Sequence, residues 1–518
     1  MIVIAVPKSI VSYKSGGPKL MASRAAKQNN ISGKRIPNGS SVLDPLMLPL
    51  FVTMTAEVMA QEETQAAEVV VAVEPLKEEK VAEENVKPRE SSVEASKPKM
   101  VEKSSSYKEE SNYLSDLKEF ERKALSELKS KLEEAILGNT LFEPKKEALL
   151  ENEEKKNEGE EKEEEEEKKV DVEENDVSLW GVPLLPSKGA EGVDVVLLKF
   201  LRAREFKVND AFEMLKKTLK WRKESKIDSA VDEDFGSDLA SAAYMNGVDH
   251  EGHPVCYNIF GAFESEELYQ KTFGTEEKRS EFLWWRCQLM EKGIQKLNLK
   301  PGGVSSLLQI NDLKNSPGPS KLRVATKQTL AMLQDNYPEM VAKNIFINVP
   351  FWYYALNALL SPFLTQRTKS KFVVARPNKV TETLTKYIPI EEIPLHYGGF
   401  KRENDSEFSS QDGAVSELIL KAGSTATIEV PALEVGNSLC WDLTVLGWEV
   451  SYKEEFVPTD EGSYTVIVQK GKKMGSQEWP LRNTFMNNEP GKVVLTIENT
   501  SNKKKRVLYR YKTIKSSF

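Results

Sequence analysis

The sequence predicts a multidomain chain: a disordered acidic N-terminus, an α/β domain with a small helical module in front of it, and an all-β sandwich at the C-terminus. Three observations carry this expectation. The 518 residues exceed what one hydrophobic core organises, so two or three domains plus linkers are expected. Residues 151–169, ENEEKKNEGEEKEEEEEKK, hold eleven Glu, five Lys and no apolar side chain, and so cannot offset chain entropy by burial. The hydrophobic period also changes along the chain, from mixed strand and helix patterns to strict alternation.

The elements follow in order. Residues 1–53 form an atypical basic extension whose only acid is Asp44. Two readings stand: a transit peptide, or an upstream extension of the gene model with translation starting at Met54. Residues 54–177 are acidic and expected to be mostly disordered. Within them, Leu114, Leu117, Leu125, Leu128, Leu132 and Ile136 approach helical spacing, which predicts a transient amphipathic helix from Tyr113 to Gly138. Residues 178–230 read as the helical module, from WGVPLLP through VDVVLLKFLRAREF to a helix with Asn209 as N-cap. In 231–405, VCYNIF, SSLLQIN, NIFINV and KFVVA read as strands separated by helices, one of them capped by Ser320, which predicts a largely parallel sheet. Residues 406–518 alternate with period two between Gly, Asn and Pro turns, as antiparallel sandwiches do.

Composition excludes several functions. The net charge of −8 gives no global reason for nucleic-acid binding. Three scattered cysteines, Cys256, Cys287 and Cys440, read as reduced buried thiols, and three histidines leave little for zinc chemistry. No apolar run reaches the roughly 20 residues of a membrane span. No GxSxG, HExxH, P-loop or GxGxxG motif stands where its mechanism needs it, and DHEGHP at 249–254 reads as a turn before a strand rather than a metal site. No enzyme, metal or cofactor is expected. Large apolar side chains are concentrated in the α/β unit, in FLWW (282–285), VPFWYYALNALLSPFL (349–364) and YIPIEEIPL. They fill a core or line a cavity for an apolar ligand. Pro350 and Pro362 bound about eleven helical residues of the second stretch, ~16 Å and roughly half a bilayer core.

LLKFLRAREF, DHEGHPV, QINDLK, NYPEMVAKNIFINVP, SPFL followed by KSKFVV, and IPLHYGGF occur in that order. Together they resemble the CRAL-TRIO lipid-binding fold with its N-terminal helical module. VVLTIENTSNKKKRVLYRYK resembles a GOLD domain, and an acidic N-terminus, CRAL-TRIO and GOLD in sequence is the architecture of the plant patellins. The resemblance covers about Trp180 to Lys512.

It implies a pocket that buries one phospholipid as its ligand and carries out no reaction. The family's phosphoinositide headgroup positions fall on Arg204, Glu339, Thr368 and Lys371, where cations pair with phosphate and a carboxylate accepts from ring hydroxyls. Two positions depart from the pattern. Glu205 stands where the family has a basic residue, and Leu307 and Gln309 stand where it has small hydroxyl residues for choline, which puts phosphatidylcholine exchange in question. Phe351, Trp352, Tyr354, Leu356, Leu359, Leu360 and Phe363 fall on the family's pocket gate, with Trp352 or Tyr353 on its membrane side. Lys503, Lys504, Lys505 and Arg506 of the basic last strand are candidate membrane contacts, or edge lysines that block strand pairing. The expected partners are phosphoinositides, anionic membranes and trafficking proteins bound through GOLD or the acidic N-terminus, with no nucleic acid. The expected location is the cytoplasm and peripheral membrane, including the cell plate. The alternative is a trafficking adaptor whose pocket holds another apolar ligand and whose GOLD domain recruits proteins.

Overall fold

The computed structural model describes residues 110–142, 177–351, 353, 370–409, 412, 414–447, 449–475 and 478–515. Its first helix, α1 (Glu119–Leu137), corrects the expectation of a transient helix. Leu125, Leu128, Leu132 and Ile136 lie on one face and are at most 2% exposed. They share a core with α2 (Val193–Ala203) and α3 (Val208–Glu224), so the helical module begins well before residue 178. An isolated helix of this length is marginal in water, and burial of the leucine stripe is what holds it.

Between α1 and α2 a small hairpin, β1 (Ser178–Leu179) with β2 (Val182–Pro183), turns at Trp180, whose ring stacks on Phe200 and Tyr337. Helix α2 is apolar all round because it is the centre of the module. Its one buried cation, Lys199, donates to the carbonyls of Ser305 (2.7 Å) and Glu339 (2.8 Å), outside the module. Asn209 does not cap α3: the helix starts one residue earlier, and the Asn209 carboxamide accepts from Lys131 of α1.

The α/β domain is a five-stranded sheet in the order β3 (Ala243–Val248), β4 (Pro254–Ile259), β5 (Leu307–Asp312), β6 (Val341–Ile347), β7 (Phe372–Val374). From β4 onward the pairing is parallel, as expected. The β3 edge is antiparallel and escaped the sequence reading, because AYMNGV carries only one buried residue. DHEGHP is the β3–β4 turn: Asp249 Oδ1 accepts from the backbone N–H of Glu251 and His253, and Oδ2 lies 2.9 Å from His253 Nδ1.

Helices α4 (Glu266–Phe273), α5 (Glu276–Ile294) and α6 (Pro319–Asn336) connect the strands, and the short α7 (Val380–Leu384) follows β7. Pro319 opens α6 after Gly318, so Ser320 lies inside the first turn and is not the cap. A buried ion pair fastens the module to this domain. Arg222 of α3 reaches Glu291 of α5 through both guanidinium nitrogens (2.5 and 3.2 Å), and Tyr337 donates to the same carboxylate (2.6 Å). In HYGGF, Gly398 has φ +84°, and a Cβ on Gly399 would fall 2.0 Å from the Ile393 carbonyl oxygen, so both positions require glycine.

The C-terminal domain packs two four-stranded antiparallel sheets. One runs β13 (Leu481–Met486), β10 (Ser438–Leu446), β15 (Lys505–Ile514), β8 (Ser416–Leu420). The other runs β12 (Val466–Met474), β11 (Val450–Pro458), β14 (Gly491–Glu498), β9 (Thr425–Ala432). Alternation sets the core: Val493, Leu495 and Ile497 of β14 are fully buried, and the residues between them are not. Leu446 and Leu508 leave this core to join Tyr397 and Phe400 of the α/β domain. Beside them Asp442, wholly buried, accepts from Arg402, Arg482 and Arg510.

Candidate functional site

The apolar excess read from the sequence is partly a cavity wall. A cleft lies between one face of the sheet and helices α4, α5 and α6, enclosing about 940 Å³ of empty space, part of it open to solvent. The cavity volume within it, about 130 Å³, is below the ~300–1,000 Å³ of small-molecule sites. Phe263, Phe273, Phe282, Trp285, Leu330 and Phe346 form much of its apolar lining. Phe282 and Trp285 come from FLWW. They point inward because α5 packs that face on the sheet, while Trp284 turns away to donate to Glu233.

The floor of the cleft is polar. Asn258, Gln309, Asn311 and Asn344 stand on three adjacent strands, each under 9% exposed. Asn258 donates to Gln309 (2.8 Å) and Asn311 (3.2 Å), and Asn311 donates to Asn344 (3.4 Å). Arg286 of α5 lines the same cleft and donates to Asn258 Oδ1 at 2.8 Å. The sequence reading singled out Gln309 of this group, as a departure at the choline positions, and missed the others. Their signal was present: parallel strands buried on both faces read as continuous apolar runs, and amides at paired register positions interrupt them. Burial pushes the thiols of Cys256 and Cys287 up to about 11 and about 12, so both stay protonated near neutrality, as the cysteine usage implied.

The residues expected at a lipid headgroup lie apart from this floor. Lys371, 4% exposed, places Nζ 2.8 Å from Glu339 Oε2, and Lys199 holds the Glu339 carbonyl. Glu339 has φ +52°, a left-handed conformation that a non-glycine residue seldom adopts and that often marks a functional position. Arg204 ends α2 half-buried, its guanidinium on the Ala203 carbonyl. Among the described residues the structure joins Glu339 to Lys371 but joins neither to Arg204, and none of the three lines the cleft. Thr368 lies outside the described residues, as do Trp352, Tyr354, Leu356, Leu359, Leu360 and Phe363. Phe351 is 81% exposed and lines no part of the cleft. Tyr353 is buried with its ring 6.0 Å from that of Phe346, so in this structure it does not face outward.

One of the four candidate membrane contacts is corrected, and a second is paired on the surface. Lys505 is 5% exposed and donates to the Gly447 carbonyl (2.7 Å), because its side chain points into the sandwich end. Arg506 is engaged by Glu417 through two hydrogen bonds (2.9 and 2.8 Å). Lys503 and Lys504 remain exposed. Among the described residues no helix is long and apolar enough to cross a membrane, and no group of His, Cys, Asp and Glu is arranged to hold a metal.

Cleft, helical module and sandwich define the class of protein. The family models "CRAL/TRIO, N-terminal domain", "CRAL/TRIO domain" and "Patellin-1-like, C-terminal GOLD domain" match residues 124–217, 240–399 and 421–505. Patellin-4 of Arabidopsis thaliana is 55% identical over 89% of this chain and 99% of its own, and Patellin-3 of the same plant is 47% identical over 78% and 77%. A Kluyveromyces lactis protein named phosphatidylinositol transfer protein SFH5 is 29% identical over 47% of this chain and 81% of its own. The chain belongs to the patellin family: a CRAL-TRIO domain with its N-terminal helices, followed by a GOLD domain.

Proposed function

We propose that this protein binds one phosphoinositide, buries its acyl chains in the cleft, and carries or presents it at membranes in vesicle trafficking and cell-plate formation. The observation that carries the reading is the cleft of the CRAL-TRIO domain, lined by aromatic side chains and closed on one side by a polar floor. Similarity to a phosphatidylinositol transfer protein across half of the chain supports the choice of lipid. Glu339 and Lys371, with Arg204, are the residues this reading assigns to the headgroup. The carboxylate accepts from inositol hydroxyls, and the cations meet phosphate. Lys503 and Lys504 would touch the anionic leaflet, and GOLD or the acidic N-terminus would hold trafficking proteins.

Mass spectrometry of lipid co-purifying with the full chain should recover a phosphoinositide. Transfer of phosphatidylinositol between phosphatidylcholine vesicles should fall about tenfold or more in Lys371→Ala and Glu339→Ala, the scale of one lost charged hydrogen bond. Protein that carries no phosphoinositide and moves none between vesicles would overturn the reading.

A further inference from the structure

Among the described residues Arg286 has no counter-ion, and it stands where a ligand would be. Its guanidinium lines the cleft, and its one hydrogen bond goes to a neutral amide, Asn258 Oδ1. Among the described residues no carboxylate pairs with it. The arginines buried elsewhere are answered: Arg222 by Glu291, and Arg510 by Asp442. A guanidinium taken out of water without an anion is costly, and proteins as a rule pair such charges. Residues 354–369, between β6 and β7, contain no Asp or Glu that could supply the partner. The glutamate run at 151–169 has no apolar side chain to set against Phe263, Phe282 and Leu330.

We infer that Arg286, with the side-chain amides of Asn258 and Asn311, is an oxyanion site inside the cleft, taking the phosphodiester or carboxylate of an amphiphile whose aliphatic part lies against the aromatic wall. The fork of the guanidinium suits two oxygens of either group, and the amides supply further donors if they reorient. Burial pushes the Arg286 guanidinium below its ordinary value, as expected of a cation awaiting an anion. The site differs from the Glu339–Lys371 pair: Arg286, Asn258 and Asn311 line the cleft, and Glu339 and Lys371 do not. The inference rests on the reading that the cleft holds an amphiphile, and it adds an anion contact inside the cleft, apart from the headgroup residues Glu339, Lys371 and Arg204.

The test uses the full chain stripped of co-purified lipid, titrated with oleate and with oleyl alcohol, which has the same chain and no anion. Uptake of phosphatidylinositol from phosphatidylcholine vesicles is measured in parallel. Wild-type protein should prefer oleate, or take up phosphatidylinositol, in a way that Arg286→Met and Arg286→Gln lose about ten- to a hundredfold, with oleyl alcohol unchanged. Loss of oleate binding alone identifies a carboxylate, loss of phosphatidylinositol uptake alone a phosphodiester, and either supports the site. Oleate binding and phosphatidylinositol uptake both unchanged in a variant that melts like wild type overturn it. If both variants fail to fold, a wild type that binds oleate and oleyl alcohol equally and takes up no phosphatidylinositol overturns it as well. If no amphiphile enters the wild-type protein, the cleft reading itself fails, a result separable from the failure of Arg286.

Discussion

Arg222 and Asp405 show how single charges fix the domains. Arg222 is 4% exposed, and its main partner, Glu291, is 5% exposed. Glu291→Met leaves the guanidinium to Asp228 alone, so we expect destabilisation of about 3–5 kcal/mol, read as a lower denaturant midpoint. Asp405 sits in the connection to GOLD. Burial pushes its carboxyl up, but hydrogen bonds from Arg482 and from the Phe408 and Glu407 backbone N–H outweigh this and hold it well below the usual carboxylate range. A depressed folded-state value stabilises above the unfolded value of 3.8 and is lost as pH falls from there toward the folded value. Melting curves of wild type and Asp405→Asn should therefore differ at pH 7 and draw together progressively as pH falls below 3.8 toward the depressed folded-state value; a gap independent of pH would refute the assignment. Neither role was legible in the sequence, because Glu291 and Asp405 look like any charge on a helix or in a linker until their partners, 69 and 77 residues away, are known.

Helix α1 is the element whose existence the sequence announced and whose place it concealed. Its heptad-like leucines were visible, but an amphipathic helix inside an acidic, apolar-poor segment reads the same whether it is transient or docked. Leu128 and Leu132 are wholly buried between α2 and α3. Leu128→Ala should cost about 2–5 kcal/mol and loosen the module, seen as a lower melting temperature and faster amide exchange in α2 and α3. No change would mean that α1 is dispensable. The last strand, β15, went the other way. Its basic residues suggested a membrane face, yet Arg510 lies 5.4 Å over the Phe400 ring and Lys512 pairs with Asp412 (2.9 Å). Arg510 belongs to the contact between domains, and Lys512 to a pair within the sandwich domain.

At the scale of the molecule, a GOLD sandwich joined to the CRAL-TRIO domain by a shared apolar cluster and the Asp442 arginines leaves Lys503 and Lys504 as the exposed basic pair of that strand's approach. The acidic run at 151–169 would be repelled by the anionic surface that attracts them. Replacing its eleven Glu by Gln should raise binding to phosphatidylserine vesicles at low salt, and the gain should shrink in high salt. Binding indifferent to the replacement would remove the acidic segment from any role in restraint. Deletion of the whole of 54–177 is not an equivalent experiment, since it removes α1 from the core.

The sequence by itself determined the domain order, the parallel sheet, the sandwich and the family, because hydrophobic period and ordered motifs are local and survive without coordinates. Tertiary structure alone decided three things: that α1 belongs to the fold, that Lys505 and Arg506 are already engaged, and that Arg286 bonds Asn258 in a cleft floored by amides from three strands. Each depends on which residues distant in the chain become neighbours, and a charge or an amide acquires its chemical meaning only from the neighbour it is given.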